Sequence, residues 1–268
     1  MMELAVQNRL VYAYTGGKAF DPALPCVVFL HGALHDHSVF TLLARSFAHC
    51  GFGVLALDLP AHGRSEGPPL QTMAAAGAWA LGCLDAAGVH KAAWVGHSMG
   101  SLIALEAAAQ APERAWHLAL LGTAAPMAVS AALLETAAQQ PVAAMRMVNS
   151  FSHSGTAAKP GYPGPGAWLQ GANQALMERT QAGWANGNLF LQDFQLCNGY
   201  AGALEAAAKL SCPCTVVTGS LDQMTPPRAA KALQEALKAK AVSLPCGHAL
   251  MQEDPEGLRA ALQAALRP

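Results

Sequence analysis

The chain has 268 residues, 53% of them hydrophobic and only 12% charged, with a formal net charge of −1. That length supports one large α/β core without disulfides, and the near-neutral charge argues against nucleic acid or an anionic membrane surface as a partner. No apolar run approaches the roughly 20 residues that span a bilayer, and Met1 to Leu4 lacks a basic stretch leading into an apolar one, so the expectation is a cytoplasmic protein with no signal segment and no membrane span that acts on a small molecule.

In chain order, Leu4 to Tyr14 reads as a long, partly polar strand at an antiparallel edge. Cys26 to Leu30 is a short continuous apolar run, as a strand covered on both faces requires, and His31-Gly32-Ala33-Leu34 follows it. A helix over Phe40 to His49 leads to a strand at Gly53 to Leu57, which ends on Asp58. After a helix over Gln71 to Ala87, the strand Ala92 to Val95 runs into Gly96-His97-Ser98-Met99-Gly100. Ser101 to Gln110, rich in Ala and Leu with Pro112 behind it, reads as the next helix. His117 to Leu121, Cys214 to Thr218 and Ala241 to Leu244 complete the strands. Helices are expected at Pro227 to Ala239 and at Pro255 to Leu266, the latter with Asp254 as N-cap and Pro255 at the first helical position. Strands and helices alternating in this way predict a doubly wound, mostly parallel sheet with right-handed crossovers.

About ninety residues separate the strand ending near Gly122 from the one at Cys214, far more than an ordinary connection. Residues 127–209 carry three or four helical stretches and are read as an inserted helical cap, with 1–126 and 210–268 forming the core. Within the insertion, Ser154 to Gly166 holds so many Gly and Pro residues that it cannot be helical and reads as a rigid, extended loop.

The chemistry starts from the pentapeptide at 96–100. A Gly-x-Ser-x-Gly turn between a strand and a helix puts its serine at a positive-φ corner, which lifts Oγ off the sheet, and small residues must flank it where helix and strand close together. Ser98 is therefore a candidate nucleophile; the alternative is a plain helix N-cap. Ligands of open parallel sheets bind beyond the carboxyl ends of the strands, where His31, Asp58, Asp222 and His248 all fall. A serine nucleophile needs an imidazole base and a carboxylate to hold that ring. His248 suits the first role and Asp222 the second, with Asp58 the rival acid.

On these residues the chain resembles the α/β-hydrolase-fold superfamily of serine hydrolases (esterase-, lactonase- and perhydrolase-like), whose nucleophile, acid and base follow in the order Ser98, Asp222, His248. The resemblance implies the α/β-hydrolase fold: a mostly parallel sheet of about eight strands with an inserted helical cap. It implies an oxyanion hole from the backbone N–H groups of Ala33, with Leu34 the other candidate, and Met99. Asp58 to Ser65 resembles the family's Asp-x-x-Gly-His-Gly-x-Ser turn, with Ala61 where Gly is usual. It also implies cleavage of a small, largely apolar carboxylic ester through an acyl-enzyme. Lactone or carbon-carbon bond hydrolysis are the alternatives within the fold, and a ligand-binding receptor with little turnover is the alternative outside enzymology. Ala249 stands where carbon-carbon hydrolases often carry Trp.

Residues expected to contact substrate are Leu34, His35, Met127, Met145, His153, Trp168 and Ala249, from the two site loops and the apolar positions of the insertion. No cofactor is implied. His35-Asp36-His37 contains metal-ligating types, but adjacent residues converge poorly on one ion, and no metal site is expected. The seven cysteines are odd in number and scattered, which suits reduced core residues. Cys212-Pro213-Cys214 reads as the start of a buried strand.

Overall fold

The computed structural model describes residues 1–267. Its single sheet has eight strands in the order β1-β2-β4-β3-β5-β6-β7-β8. β1 (Met2–Val6) and β2 (Arg9–Tyr14) form an antiparallel hairpin at one edge. The single strand expected over Leu4 to Tyr14 is thus two, because Gln7 and Asn8 both take positive φ, 50° and 59°, the two-residue turn that matches the twist of paired strands. β2 meets β4 (Gly53–Leu57) antiparallel. The remaining pairs are parallel: β3 (Cys26–Leu30), β5 (Ala92–His97), β6 (Ala115–Leu121), β7 (Cys214–Gly219) and β8 (Lys240–Leu244).

Side-chain alternation sorts the central strands onto two cores. Val28, Leu30, Trp94, Leu118, Leu120 and Val216 pack with α2 (Met73–Ala86) and α3 (Met99–Gln110) on one face. Val27, Phe29, Val95, Ala119, Leu121 and Val217 pack on the other face with α1 (Thr41–His49) and the C-terminal helix. β3, β4, β5 and β7 are buried along their whole length, which explains why none of them carries Asp, Glu, Lys or Arg.

Five helices lie between β6 and β7: α4 (Ala131–Gln139), α5 (Pro141–Ser152), α6 (Leu169–Gly183), α7 (Leu189–Asn198) and α8 (Ala203–Ala207). The first four share a separate core of Leu133, Ala137, Ala144, Met145, Val148, Met177, Leu189, Phe190 and Phe194, which continues into the body of the molecule through Leu34 and Ala61. The Gly/Pro segment at 154–166 is non-helical as expected, but it is folded rather than extended. Gly161 N–H donates to Ala167 O at 2.7 Å, and Trp168 Nε1 donates to Ala158 O at 3.3 Å. The helix expected over Pro227 to Ala239 is shorter, a 3-10 turn followed by α9 (Lys231–Ala236). α10 (Leu250–Glu253) follows the last strand, and α11 (Pro255–Ala265) begins at Asp254, whose carboxylate accepts Gly257 N–H.

Candidate functional site

Ser98 sits at the junction of β5 and α3 with φ 52° and ψ −121°, a conformation that costs a non-glycine residue about 1–3 kcal/mol. The surroundings hold it there: Ser98 N–H donates to Leu121 O at 2.9 Å and Ser98 C=O accepts from Ser101 N–H at 2.8 Å. Its hydroxyl makes no capping bond to α3, so the N-cap alternative does not describe this serine. The flanking glycines are obligatory on steric grounds. A Cβ on Gly96 would lie 2.0 Å from Gly100 O, and one on Gly100 would lie 2.2 Å from Leu30 O.

His248, in the turn after β8, places Nδ1 2.8 Å from Asp222 Oδ2. Asp222, in the turn after β7, is buried and has its other oxygen filled by the N–H groups of Met224 and Thr225, both at 2.8 Å, while Thr225 Oγ1 donates to Oδ2 at 2.8 Å. Burial disfavours the charged carboxylate, but the facing imidazole and the Thr225 bonds outweigh it and hold Asp222 below the usual carboxylate range. With Nδ1 engaged, Nε2 is the His248 nitrogen left to act in the cavity. The ring packs on Gly122, where a Cβ would come within 3.1 Å of Nδ1. The main chain of the same turn is fastened to the insertion, since Ser152 O, at the end of α5, accepts His248 N–H at 2.8 Å and Ala249 N–H at 3.1 Å.

The loop after β3 is fixed by His31. Leu59 N–H donates to its Nε2 at 3.1 Å, so the proton is on Nδ1, which donates to Gly32 O at 2.8 Å. Burial, and then the proximity of His62, lowers the His31 pKa to about 4, keeping the ring in this neutral tautomer. Gly32 O also accepts His35 N–H at 3.3 Å, and a peptide plane pinned by its carbonyl turns the Ala33 N–H the opposite way. Next in the chain, Leu34 has φ 55° and its N–H is taken by Asp193 of α7 at 2.8 Å.

These loops and the inserted helices enclose a cavity of about 290 Å³ lined by Ser98, His248, Gly32, Ala33, His35, His97 and Thr225 on the core side. Met127, Val129, Leu133, Met147, Val148, Phe194 and Met177 form an apolar roof, with Asn173 and Ser130 among its polar positions. Of the substrate-contact residues expected, His35 and Met127 are in the lining and the other five are elsewhere. Leu34 and Met145 are buried in the core of the insertion. His153 is buried, its ring bonded to Asn149 O at 3.0 Å and Gln252 Oε1 at 3.2 Å. Trp168 is half-exposed and lies against Gly171 at the start of α6. Ala249 is spent on the bond to Ser152. Asn173, Ser130 and Thr225 were not expected. Only Thr225 left a trace in the sequence, its place three residues after Asp222.

Asp58 meets different partners. Its carboxylate accepts His37 N–H at 2.7 Å, His37 Nδ1 at 2.8 Å and Arg64 N–H at 2.9 Å. It also explains the neighbouring turn, because a Cβ on Gly63 would lie 2.3 Å from Oδ2. Ala61, where the resembling turns carry Gly, has φ 68° and bears the strain of a left-handed alanine. Asp36, His37 and Asp58 each offer a ligand atom within 4.8 Å of the others. Protein donors already occupy those atoms, because Asp36 accepts from Ser38 N–H and Arg179, both at 2.8 Å. The seven cysteines are all unpaired. Among the described residues, no helix is long and apolar enough to cross a membrane.

Comparison with known proteins agrees with this architecture. A hydrolase from Pseudomonas aeruginosa PA01 superposes with a TM-score of 0.82 at 19% identity, covering 100% of this chain and 98% of that one. The enol-lactonase from Burkholderia xenovorans LB400 superposes with a TM-score of 0.78 at 18% identity, covering 99% of both chains. At these identities the likeness is one of fold. In sequence, the sn-1-specific diacylglycerol lipase of Mus musculus is 35% identical over 94 residues, 35% of this chain and 31% of the relative. The chain spans about a third of the length of the curated relatives it matches. The sequence profile of the alpha/beta hydrolase fold matches residues 25–255, and the chain belongs to that family.

Proposed function

We propose that this chain is a serine hydrolase acting on a small, largely apolar carboxylic ester. Ser98 is the nucleophile, His248 the general base and acid, and Asp222 the group that orients and charges-compensates the ring. The observation that carries the reading is the His248 Nδ1 to Asp222 Oδ2 bond of 2.8 Å at the rim of the same cavity that Ser98 lines from a φ of 52°. In this mechanism Ser98 Oγ adds to the acyl carbon as its proton passes to His248 Nε2. The oxyanion is received by the N–H groups of Ala33 and Met99, the latter at the first position of α3, where no earlier carbonyl of the helix claims it. The ester C–O bond breaks, and the departing alkoxide takes the proton from His248. Water, deprotonated by the same ring, then attacks the acyl-enzyme to release acid and free serine. Residues 127–209 act as a cap whose apolar roof excludes water and sizes the acyl group.

The test is release of 4-nitrophenol from esters of two to twelve carbons by the wild type, Ser98→Ala and Asp222→Asn. We expect saturable turnover in the wild type, loss of at least about 10⁴-fold in Ser98→Ala and of about 10³–10⁴-fold in Asp222→Asn. Turnover surviving in Ser98→Ala would overturn the reading. Absence of turnover in the wild type would move the weight to a lactone, a carbon-carbon bond or a bound ligand.

A further inference from the structure

The cavity has two unlike ends. One is closed: Asn173, Met177, Phe194 and Cys197 line it, and none of the four is more than 7% exposed. They belong to α6 and α7, the helices fastened to the loop after β3. His35 Nε2 lies 3.0 Å from Asn173 Oδ1, and Leu34 N–H donates to Asp193 at 2.8 Å. The other end is open. Phe151 is 43% exposed, and Ala128, Ser130 and Gln223 are exposed with it, although all four line the same cavity.

The mouth lies on the His248 side. Phe151 precedes Ser152, whose carbonyl accepts His248 N–H at 2.8 Å, and Gln223 follows Asp222, whose Oδ2 is 2.8 Å from His248 Nδ1. An ester seated for attack turns its carbonyl oxygen to the Ala33 and Met99 N–H groups, and its alcohol oxygen must come within proton reach of His248 Nε2. The alcohol chain therefore starts among the residues beside His248, and the acyl chain takes the remaining direction, beneath α6 and α7. The lip is apolar: Met147 and Phe151 stand one turn apart on a shared face of α5, with Met224 also in the lining. Among the described residues, no Asp, Glu, Lys or Arg lines the cavity.

We infer that the acyl group sits in the closed end and the alcohol in the mouth, so that the substrate class is the ester of a size-limited acyl group with an elongated, uncharged, apolar alcohol. The inference rests on the serine-hydrolase reading for its orientation. Once the closed end is full, a further methylene must displace packed helices, which costs about tenfold or more. A methylene added to the alcohol instead lies along the lip and gains up to about fourfold. Phe151 is thus a specificity-determining residue for the alcohol, and Met177 for the acyl group.

The experiment follows acid release from two series, ethyl esters of lengthening alkanoic acids and butanoate esters of lengthening alcohols. In the wild type, kcat/KM for the ethyl esters should break, falling about tenfold or more within two added methylenes, while the butanoates hold or rise through the same lengths. Met177→Ala should move the break to longer acyl chains and leave the alcohol profile in place. Phe151→Ser should remove the gain along the alcohol series without moving the acyl break, whereas a merely structural role would lower both series alike. In parallel, crystals of Ser98→Ala are soaked with octyl butanoate, whose octyl chain should pass between Phe151 and Gln223 with the butanoyl group beside Met177. A break in the alcohol series instead, equal length dependence in the two, the reversed seating, or no seated ester overturns the inference. A wild type that hydrolyses neither series contradicts the serine-hydrolase reading, and the seating in Ser98→Ala then still decides this one.

Discussion

Asp193 of α7 accepts the backbone N–H of Leu34 at 2.8 Å across 159 residues of sequence, while His62 Nε2 lies 2.9 Å from the same carboxylate oxygen. One buried side chain of the insertion thereby sets the loop after β3 and closes an ion pair with the loop after β4. Replacing Asp193 with Ala should destabilise the protein by about 3–5 kcal/mol, since it strands both a buried N–H and a buried imidazole. Asp193→Asn, which keeps an acceptor for Leu34, should cost less. Urea unfolding gives the order. In the same variants kcat should fall more than KM rises, because the Ala33 N–H sits one residue before the one released.

The charge on His62 has a signed pH signature. Burial disfavours the imidazolium, but Asp193 and the bond to Pro60 O outweigh it and raise the pKa above the ordinary 6.5. A native state that binds the proton more tightly than the unfolded chain gains its full stabilisation below pH 6.5 and loses it as the pH climbs through the native value. The stability difference between wild type and His62→Gln should be largest below the ordinary 6.5 and shrink as the pH rises through the native value. A difference that grows with pH would mean that the ring is neutral.

Asp222 carries the opposite sign. Its lowered pKa stabilises the native state above the ordinary 3.8, and that contribution is lost as the pH falls through the native value. Thr225→Val removes the hydroxyl that donates to Oδ2 at 2.8 Å. Acid unfolding followed by circular dichroism should then begin at higher pH than in the wild type. At neutral pH kcat should drop by about tenfold, in line with one lost bond to a charged group.

Two glycines separate steric need from mere composition. Gly100→Ala pushes a methyl to 2.2 Å from Leu30 O, with backbone on both sides, and should cost about 3 kcal/mol or more, or abolish folding. Gly164→Ala meets nothing within 4 Å and should lie within about 0.5 kcal/mol of wild type. Denaturation midpoints of the pair decide it.

The inner strands were legible because a strand covered on both faces favours short apolar runs, and Ser98, Asp222 and His248 stood out because each follows the carboxyl end of a parallel strand. The hairpin was missed because Gln7-Asn8 lacks the glycine that usually announces a two-residue turn. The cavity roof was harder. Helical spacing tells that Met145 and Met147 are apolar, but not that Met145 packs among its neighbouring helices while Met147 reaches the cavity. Asn173 was invisible, since a polar residue in a helix looks solvated until the partners that bury it are known. Asp193 escaped for the same reason.

The bond from Ser152 O to the His248 turn carries a lesson for anyone recombining such chains. α4 to α8 are not an interchangeable attachment: the end of one helix secures the turn that bears His248, and a carboxylate on another secures the loop that bears Ala33. A graft of the insertion from a relative inherits a new pocket only if it also supplies a carbonyl and a carboxylate at those two anchor points, and a deletion of it leaves a sheet without working loops.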